Sequence, residues 1–234
     1  MQETHIDPEL SILCDSVPTT IVNQHFKFLS GSLFEMNKKM QASLEELRPA
    51  WNDLPLDRYV KDQGKYRFRR FSQFEVNTKT GEVVILPHAI YTQPQLTNRL
   101  LEREFPPLQS WVQENRFLQE LARLNLSQFP IRNVVNWIVD IHLVRVLGRD
   151  GVAGHPTPEG IHNDGRSFIS FHLFERRNVD GGICQVFDLK DNLVAESTLT
   201  NCLDSFYAND HCLKHYVTPV TPSCLLYTSD AADE

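Results

Sequence analysis

His162 and Asp164 stand two residues apart in the run Pro158-Glu159-Gly160-Ile161-His162-Asn163-Asp164-Gly165. In an extended strand successive side chains alternate between faces, so residues two apart project on one side. One imidazole nitrogen and one carboxylate oxygen can then meet a single cation. A second imidazole would complete a facial set of two histidines and one carboxylate, which leaves open metal positions and suits iron(II) oxygenases. His215, 51 residues after Asp164, is the expected partner, because it sits in the strand-like run Leu213 to Val217. His211 competes for the role. It follows Asn209-Asp210, a turn signal, and a turn is a less rigid platform for a ligand. A bare H-x-D is common; the strand histidine about fifty residues on gives it weight.

The elements that must position these residues are read from periodicity. Residues 19 to 48 carry Ile21, Val22, Phe26, Leu29, Leu33, Phe34, Met40, Leu44 and Leu47 at helical spacing between Pro18 and Pro49. One or two helices broken near Ser30-Gly31 are predicted there. Tyr66 to Glu75 alternates like a strand, Thr78-Lys79-Thr80-Gly81 is a turn, and Val83 to Leu86 is a second strand. The cluster Arg67, Arg69, Arg70 reads either as an anion site or as a solvated strand face. Leu108 to Leu124 is helical, and Trp137 to Leu147 is rich in strand formers. Strand runs follow at Ser167 to Phe174, Ile183 to Leu189, Ser205 to Ala208 and Leu213 to Val217, with Asp180-Gly181-Gly182 as a hairpin-type turn. Helices first and short strands after suit an α+β chain with a closed or rolled double sheet.

Composition bounds the function classes. The 234 residues are 41% apolar with 14 Phe, enough for a sizeable core. A net charge of −7 gives no broad basic field, so no nucleic-acid partner is expected. Cys14, Cys184, Cys202, Cys212 and Cys224 form no C-x-x-C pair and read as free thiols of a reducing compartment. Met1 to Pro8 is polar, so no secretory leader is expected, and no apolar run of membrane-spanning length occurs. Cytoplasm is the expected location, and the oligomeric state is left open. Residues 224 to 234 resemble the translation of a transposase-adapter sequence used in preparing sequencing libraries. They are expected to be a foreign tail, with the natural chain cut near Ser223.

The runs Pro156 to Gly165, Phe171-His172-Leu173, Asn178 to Gly182 and His215-Tyr216-Val217-Thr218-Pro219 resemble a bacterial family of 2-oxoglutarate and iron(II) dioxygenases. That family includes the L-isoleucine hydroxylase and a biofilm-associated relative. The resemblance extends through Tyr66 to Phe71 and Leu86-Pro87-His88, and spans about Leu54 to Pro222. It implies a double-stranded β-helix (a jelly-roll, cupin-like core) with N-terminal flanking helices. One dioxygenase domain is expected over 1–223, helical to about residue 53 and β-rich from 54. It implies iron(II) held by His162, Asp164 and His215, 2-oxoglutarate as cosubstrate decarboxylated to succinate, and dioxygen as co-reactant. The substrate it implies is small, a free L-amino acid hydroxylated on its side chain. No catalytic residue beyond the metal ligands is implied.

His142 and Arg145 match residues typical of that family, and Arg145 is a candidate for a substrate carboxylate, or else for an ion pair with an acid at the edge of the core. His172 and Ser170 share parity with the H-x-D residues if one strand runs unbroken. They would then line the pocket, although a hydrogen-bonded structural role suits His172 as well. Gln93 and Asn98 are candidates for the polar end of an amino acid. One departure stands out. Such enzymes hold the far carboxylate of 2-oxoglutarate with a basic residue after the distal histidine, and Tyr216 to Ser223 contains no Arg or Lys. Loss of that anchor with the natural ending is the expectation. Two other readings use the same residues. One is a zinc hydrolase or lyase, for which no H-E-x-x-H partner motif is present. The other is a non-catalytic β-barrel binding module with packed histidines.

Overall fold

In the computed structural model, the residues described are 9–13, 17–60, 65–94, 100–131, 133–149 and 151–223, with the backbone alone at 93, 94, 100 and 101. The proposed tail, 224–234, lies outside them. The chain begins with β1 (Leu10–Ile12), α1 (Val17–Gln24), β2 (Phe26–Leu29), β3 (Phe34–Met36) and α2 (Lys38–Leu47). It continues through β4 (Arg67–Asn77), β5 (Val83–Ile85), β6 (Tyr91–Pro94), β7 (Leu100–Arg103), α3 (Ser110–Gln113), α4 (Arg116–Ser127) and β8 (Asn136–Val146). It ends with β9 (Phe168–His172), β10 (Val179–Gly181), β11 (Ile183–Phe187), β12 (Leu193–Thr198), β13 (Ser205–Asn209), β14 (Lys214–Val217) and β15 (Val220–Pro222). The result is a mixed α+β chain, mostly strands, of the double-stranded β-helix type.

Two three-stranded sheets face each other, one ordered β12-β11-β14 and the other β2-β13-β9. Strand alternation places Cys184, Val186 and Val217 of the first against Phe28, Ile169, Phe171, Phe206 and Ala208 of the second. The far side of β13 turns Tyr207 onto Val17, Ile21, Leu29 and Phe129. A third sheet, β5-β4-β8, is built on an eleven-residue antiparallel pair. One face of that pair carries Phe68, Phe74, Val76, Val139, Ile141 and Leu143, and packs on α2 and α4. Its other face carries Arg67, Arg69, Phe71, Gln73, Asp140 and His142, and looks towards the site.

The helices have clear local causes. Asn37 caps α2 by accepting the Met40 N–H at 2.9 Å. Asn115 caps α4 by accepting the Leu118 N–H at 3.1 Å. α4 buries Phe117, Leu118, Leu121 and Ala122, each large apolar chain contributing about 1.5–3 kcal/mol.

The helical expectation for 19 to 48 holds only at its ends. His25 takes φ 68° and stops α1, and the next four residues form β2. Phe26 and Leu29 read at helical spacing, but Phe26 also alternates with Phe28, and the open edge of β13 claims both phenylalanines through the pairs Phe206↔Phe28 and Ala208↔Phe26. The hairpin expectation at Asp180-Gly181-Gly182 is also corrected. β10 pairs with β15, not with β11. Gly181, at φ 76°, lets the chain leave β10, and a Cβ there would meet the Pro219 carbonyl oxygen at 2.0 Å.

Candidate metal centre

The segment carrying His162 is not a strand, as the H-x-D argument supposed, but a loop sewn onto β14. Val217 N–H donates to Thr157 Oγ1 at 2.9 Å, and Thr157 Oγ1 donates to the Val217 carbonyl at 3.0 Å. His162 and His215 form a single antiparallel bridge. His162 N–H donates to the His215 carbonyl at 3.1 Å, and His215 N–H returns to the His162 carbonyl at 2.7 Å. Gly160 and Gly165 flank the motif with φ of 83° and 72°, conformations that cost a side chain and suit glycine. After the bridge, buried Asp210 accepts the N–H of Asp164 at 3.1 Å and of Arg166 at 2.8 Å.

These constraints bring one atom from each of His162, Asp164 and His215 within 4.8 Å of one another. His162 Nε2 lies 3.5 Å from Asp164 Oδ1, and His215 Nε2 lies 3.9 Å from Asp164 Oδ2. His162 Nδ1 is 2.8 Å from the Gly160 carbonyl, which can only accept, so Nδ1 carries a proton and Nε2 is the atom turned to Asp164, donating to it when protonated and free to ligate an ion when not. Phe171 packs edge-on against His215 at 5.1 Å and closes that side with apolar surface. His211, exposed in its turn, is not part of the cluster.

The electrostatics suit a cation. Burial disfavours the Asp164 charge, but the His162 hydrogen bond and the neighbouring imidazoles outweigh it and hold the carboxyl well below its usual range. Burial pushes His215 down to about 4. Burial also opposes the charged form of His162, yet the hydrogen bond and charge of Asp164 leave its affinity for a proton raised. One neutral buried imidazole, one ionised carboxylate and one imidazole whose Nε2 is turned inward, and gives up its proton when an ion binds, form a donor set that fits a divalent ion.

Around the triad the other candidates separate. His142 faces the site: its ring stacks on Phe71 at 4.7 Å and meets Tyr91 edge-on at 4.9 Å. Arg145 faces the opposite way, over Phe68 at 4.6 Å, because it pairs with Phe68 on the helix-covered side of β8. It does not line the site. His172 and Ser170 are also turned away. The loop at Gly165 breaks the strand, and β9 pairs them with Ser205 and Tyr207 on the face towards α1. His172 Nδ1 is 2.7 Å from Ser205 Oγ, whose own proton goes to the Leu203 carbonyl at 2.5 Å. Gln93 lies on β6 with its side chain outside the described residues, and so does all of Asn98.

Several residues near the site carried little signal in the sequence. Arg67 and Arg69 are each 7% exposed, which overturns the solvated-face reading of that cluster. Arg67 lies 3.5 Å from Asp57 and 3.7 Å from Glu159, which also takes Arg103 at 3.1 Å. Arg166 pairs with Asp140 at 2.9 Å, and Asp140 accepts from Gln73 at 2.9 Å. The alternation Arg67, Arg69, Phe71 was the available clue for the arginines. Asp210 gave none, because it meets Asp164 from 46 residues away.

A family model described as 2OG-Fe dioxygenase matches residues 48–224. Among solved structures the chain is similar to a bsmA homolog from Methylobium petroleophilum PM1, with 26% identity over 94% of this chain and 90% of that one, at a TM-score of 0.79. It shares its fold with IDO from Bacillus thuringiensis, at 17% identity, 96% and 92% coverage and a TM-score of 0.73. It also shares it with TqaL, an Fe(II)/α-ketoglutarate-dependent dioxygenase, at 19% identity, 89% and 80% coverage and a TM-score of 0.65. No curated protein matches the chain.

Proposed function

Because this chain belongs to the 2OG-Fe dioxygenase family, an oxidoreductase family that uses iron(II) and 2-oxoglutarate, we propose that it hydroxylates the side chain of a free L-amino acid at a centre held by His162, Asp164 and His215. The observation that carries the proposal is the convergence of those three ligand atoms within 4.8 Å, on a loop and strand locked by their own backbone bridge. Iron(II) bound there supplies activation of dioxygen coupled to decarboxylation of 2-oxoglutarate. The chain's own groups orient and insulate. Gly160 fixes the His162 tautomer, Asp210 fixes the Asp164 backbone, and Asp164 stays ionised as the one anionic ligand. Phe71, Tyr91 and Phe171 supply apolar surface beside the imidazoles, which limits water. Residues 1–223 form the catalytic unit in this reading, and its free thiols suit the cytoplasm.

The family supports a small-molecule substrate and dioxygen as the reaction partners. The amino-acid class rests on the resemblance of the motif runs to the L-isoleucine hydroxylase family. The experiment is an anaerobically iron-loaded protein given 2-oxoglutarate, air and a panel of free L-amino acids. Succinate formed in step with an amino acid one oxygen heavier is expected. Succinate release that no amino acid stimulates would reject the substrate class and leave the cofactors standing.

A further inference from the structure

Arg69 differs from the arginines around it. Its neighbour Arg67 is matched by Asp57 and Glu159, and Arg166 is matched by Asp140. Arg69, on the same face of β4 and 7% exposed, has no carboxylate within ion-pair distance among the described residues. Its guanidinium lies over Phe105 at 4.4 Å and Tyr91 at 5.3 Å. Nε and Nη2 both converge on His142 Nδ1, at 3.1 and 2.8 Å. A guanidinium only donates, so His142 Nδ1 must offer a lone pair, and the neutral ring carries its proton on Nε2. The pair therefore presents a full positive charge and a fixed N–H donor, and has spent two of five guanidinium donors on one neutral acceptor. Buried cations are ordinarily paired. The acids whose charge Arg69 feels are Asp57 and Asp164, and both are engaged elsewhere, by Arg67 and by the two metal-site histidines. Burial accordingly pulls the Arg69 guanidinium down to about 10.

We infer that Arg69, with His142 held as its neighbouring donor, is the receptor for a ligand carboxylate beside the metal centre. A planar guanidinium fork matches a carboxylate in two parallel hydrogen bonds. Both ligands of the proposed reaction, 2-oxoglutarate and an amino acid, bring that group, and the inference rests on the proposed function for its setting. His142 acts by the orientation Arg69 imposes, and Arg69 makes the contact. The assignment also answers the lack of any basic residue between Tyr216 and Ser223, because charge for an anion is already present on β4.

The test is calorimetric binding of 2-oxoglutarate, succinate and free L-amino acids to the anaerobic iron(II) protein, for wild type, Arg69→Met, Arg69→Lys and Arg145→Met. Arg69→Met should weaken one carboxylate ligand about ten- to a hundredfold, the effect of losing a charge-assisted hydrogen bond. Arg69→Lys should recover part of it, and Arg145→Met, on the opposite face, should bind as wild type. A loss confined to 2-oxoglutarate and succinate assigns the cosubstrate; a loss confined to amino acids assigns the substrate. The melting temperature of the ligand-free Arg69→Met protein should equal or exceed wild type, because an uncompensated buried charge has been removed. A metal-free arm, reading the rise in melting temperature with excess succinate, separates the two readings. An Arg69-dependent rise without iron keeps the receptor even if the metal centre is misassigned. Unchanged affinity in Arg69→Met, no carboxylate binding by wild type in either arm, or a marked drop in its ligand-free melting temperature overturns the inference.

Discussion

His162 and His215 hold each other by two backbone hydrogen bonds, of 3.1 and 2.7 Å, while their Nε2 atoms approach different oxygens of the one carboxylate of Asp164. The spacing of the imidazoles is thus set by a β-bridge and does not depend on an ion. A preformed site loses little ordering entropy on binding, so affinity reports directly on its ligand atoms.

Asp164→Ala removes the only anionic member of the triad. Iron(II) affinity should fall by more than the roughly ten- to hundredfold typical of losing an outer-shell partner. His211→Ala, in the exposed turn, should change it little. Competition with a coloured chelator measures both. Equal losses would return His211 to contention.

Asp210 positions Asp164 through its backbone. Its carboxylate takes the backbone N–H groups of Asp164 and Arg166 and is 1% exposed. Hydrogen bonds to a charged acceptor contribute about 1.5–3 kcal/mol each. Asp210→Ala should therefore loosen the loop, weaken iron(II) binding about tenfold or more, and speed hydrogen exchange at the Asp164 and Arg166 amides. Asp210→Asn, which keeps one carbonyl oxygen, should lie between. Unaltered exchange at both amides would show that the β-bridge alone fixes the loop.

How much of this was legible depended on range. β4, β8, β9, β11, β13 and β14 were readable because their alternation is local, and the spacing of His162, Asp164 and His215 pointed to one another. Long-range partners decided the rest. Phe26 fits a helix with Leu29 or a strand with Phe28 until β13 offers an edge. Arg145 and His142 are three apart on one strand, and parity with Phe68 or Phe71 across the sheet, not residue type, decides which faces the His162, Asp164 and His215 cluster. The unbroken-strand assumption that favoured His172 failed at Gly165, where φ is 72°.

His172 also makes stability depend on pH. Burial holds it down to about 3, and its Nε2 is buried without a hydrogen-bond partner among the described residues. The unfolded ring takes a proton near pH 6.5, whereas the folded one does so only near 3. Within that window the unfolded state binds more protons, so stability is complete above about 6.5 and falls as pH drops, by about 1.4 kcal/mol per unit. Burial shifts His142 the same way, and His215 likewise. Urea unfolding of metal-free protein at pH 7 and pH 5 should show His172→Gln losing about 2 kcal/mol less than wild type over the interval. Parallel losses would mean that His172 is protonated in the folded state.

Glu159 ties the motif loop to the β4 sheet. Arg103 Nη1 lies 3.1 Å from its Oε1 and Arg67 Nη1 lies 3.7 Å from its Oε2, both arginines being 7% exposed. Burial works against the Glu159 charge, but the two arginines prevail and hold the carboxyl below its usual range. Breaking a fully buried pair costs about 3–5 kcal/mol, because the remaining charge is stranded. The Glu159 side chain is 28% exposed, so water makes good part of that loss, and Glu159→Gln should cost about 1–3 kcal/mol. Glu159 precedes His162 by three residues, so the same change should weaken iron(II) binding several-fold through a looser loop. Arg103→Met tests the coupling. If Arg103 is destabilised chiefly by losing Glu159, the double variant should be more stable than the sum of the two single losses implies. Strict additivity would show that Arg103 is held by other groups and that Glu159 acts through Arg67 alone.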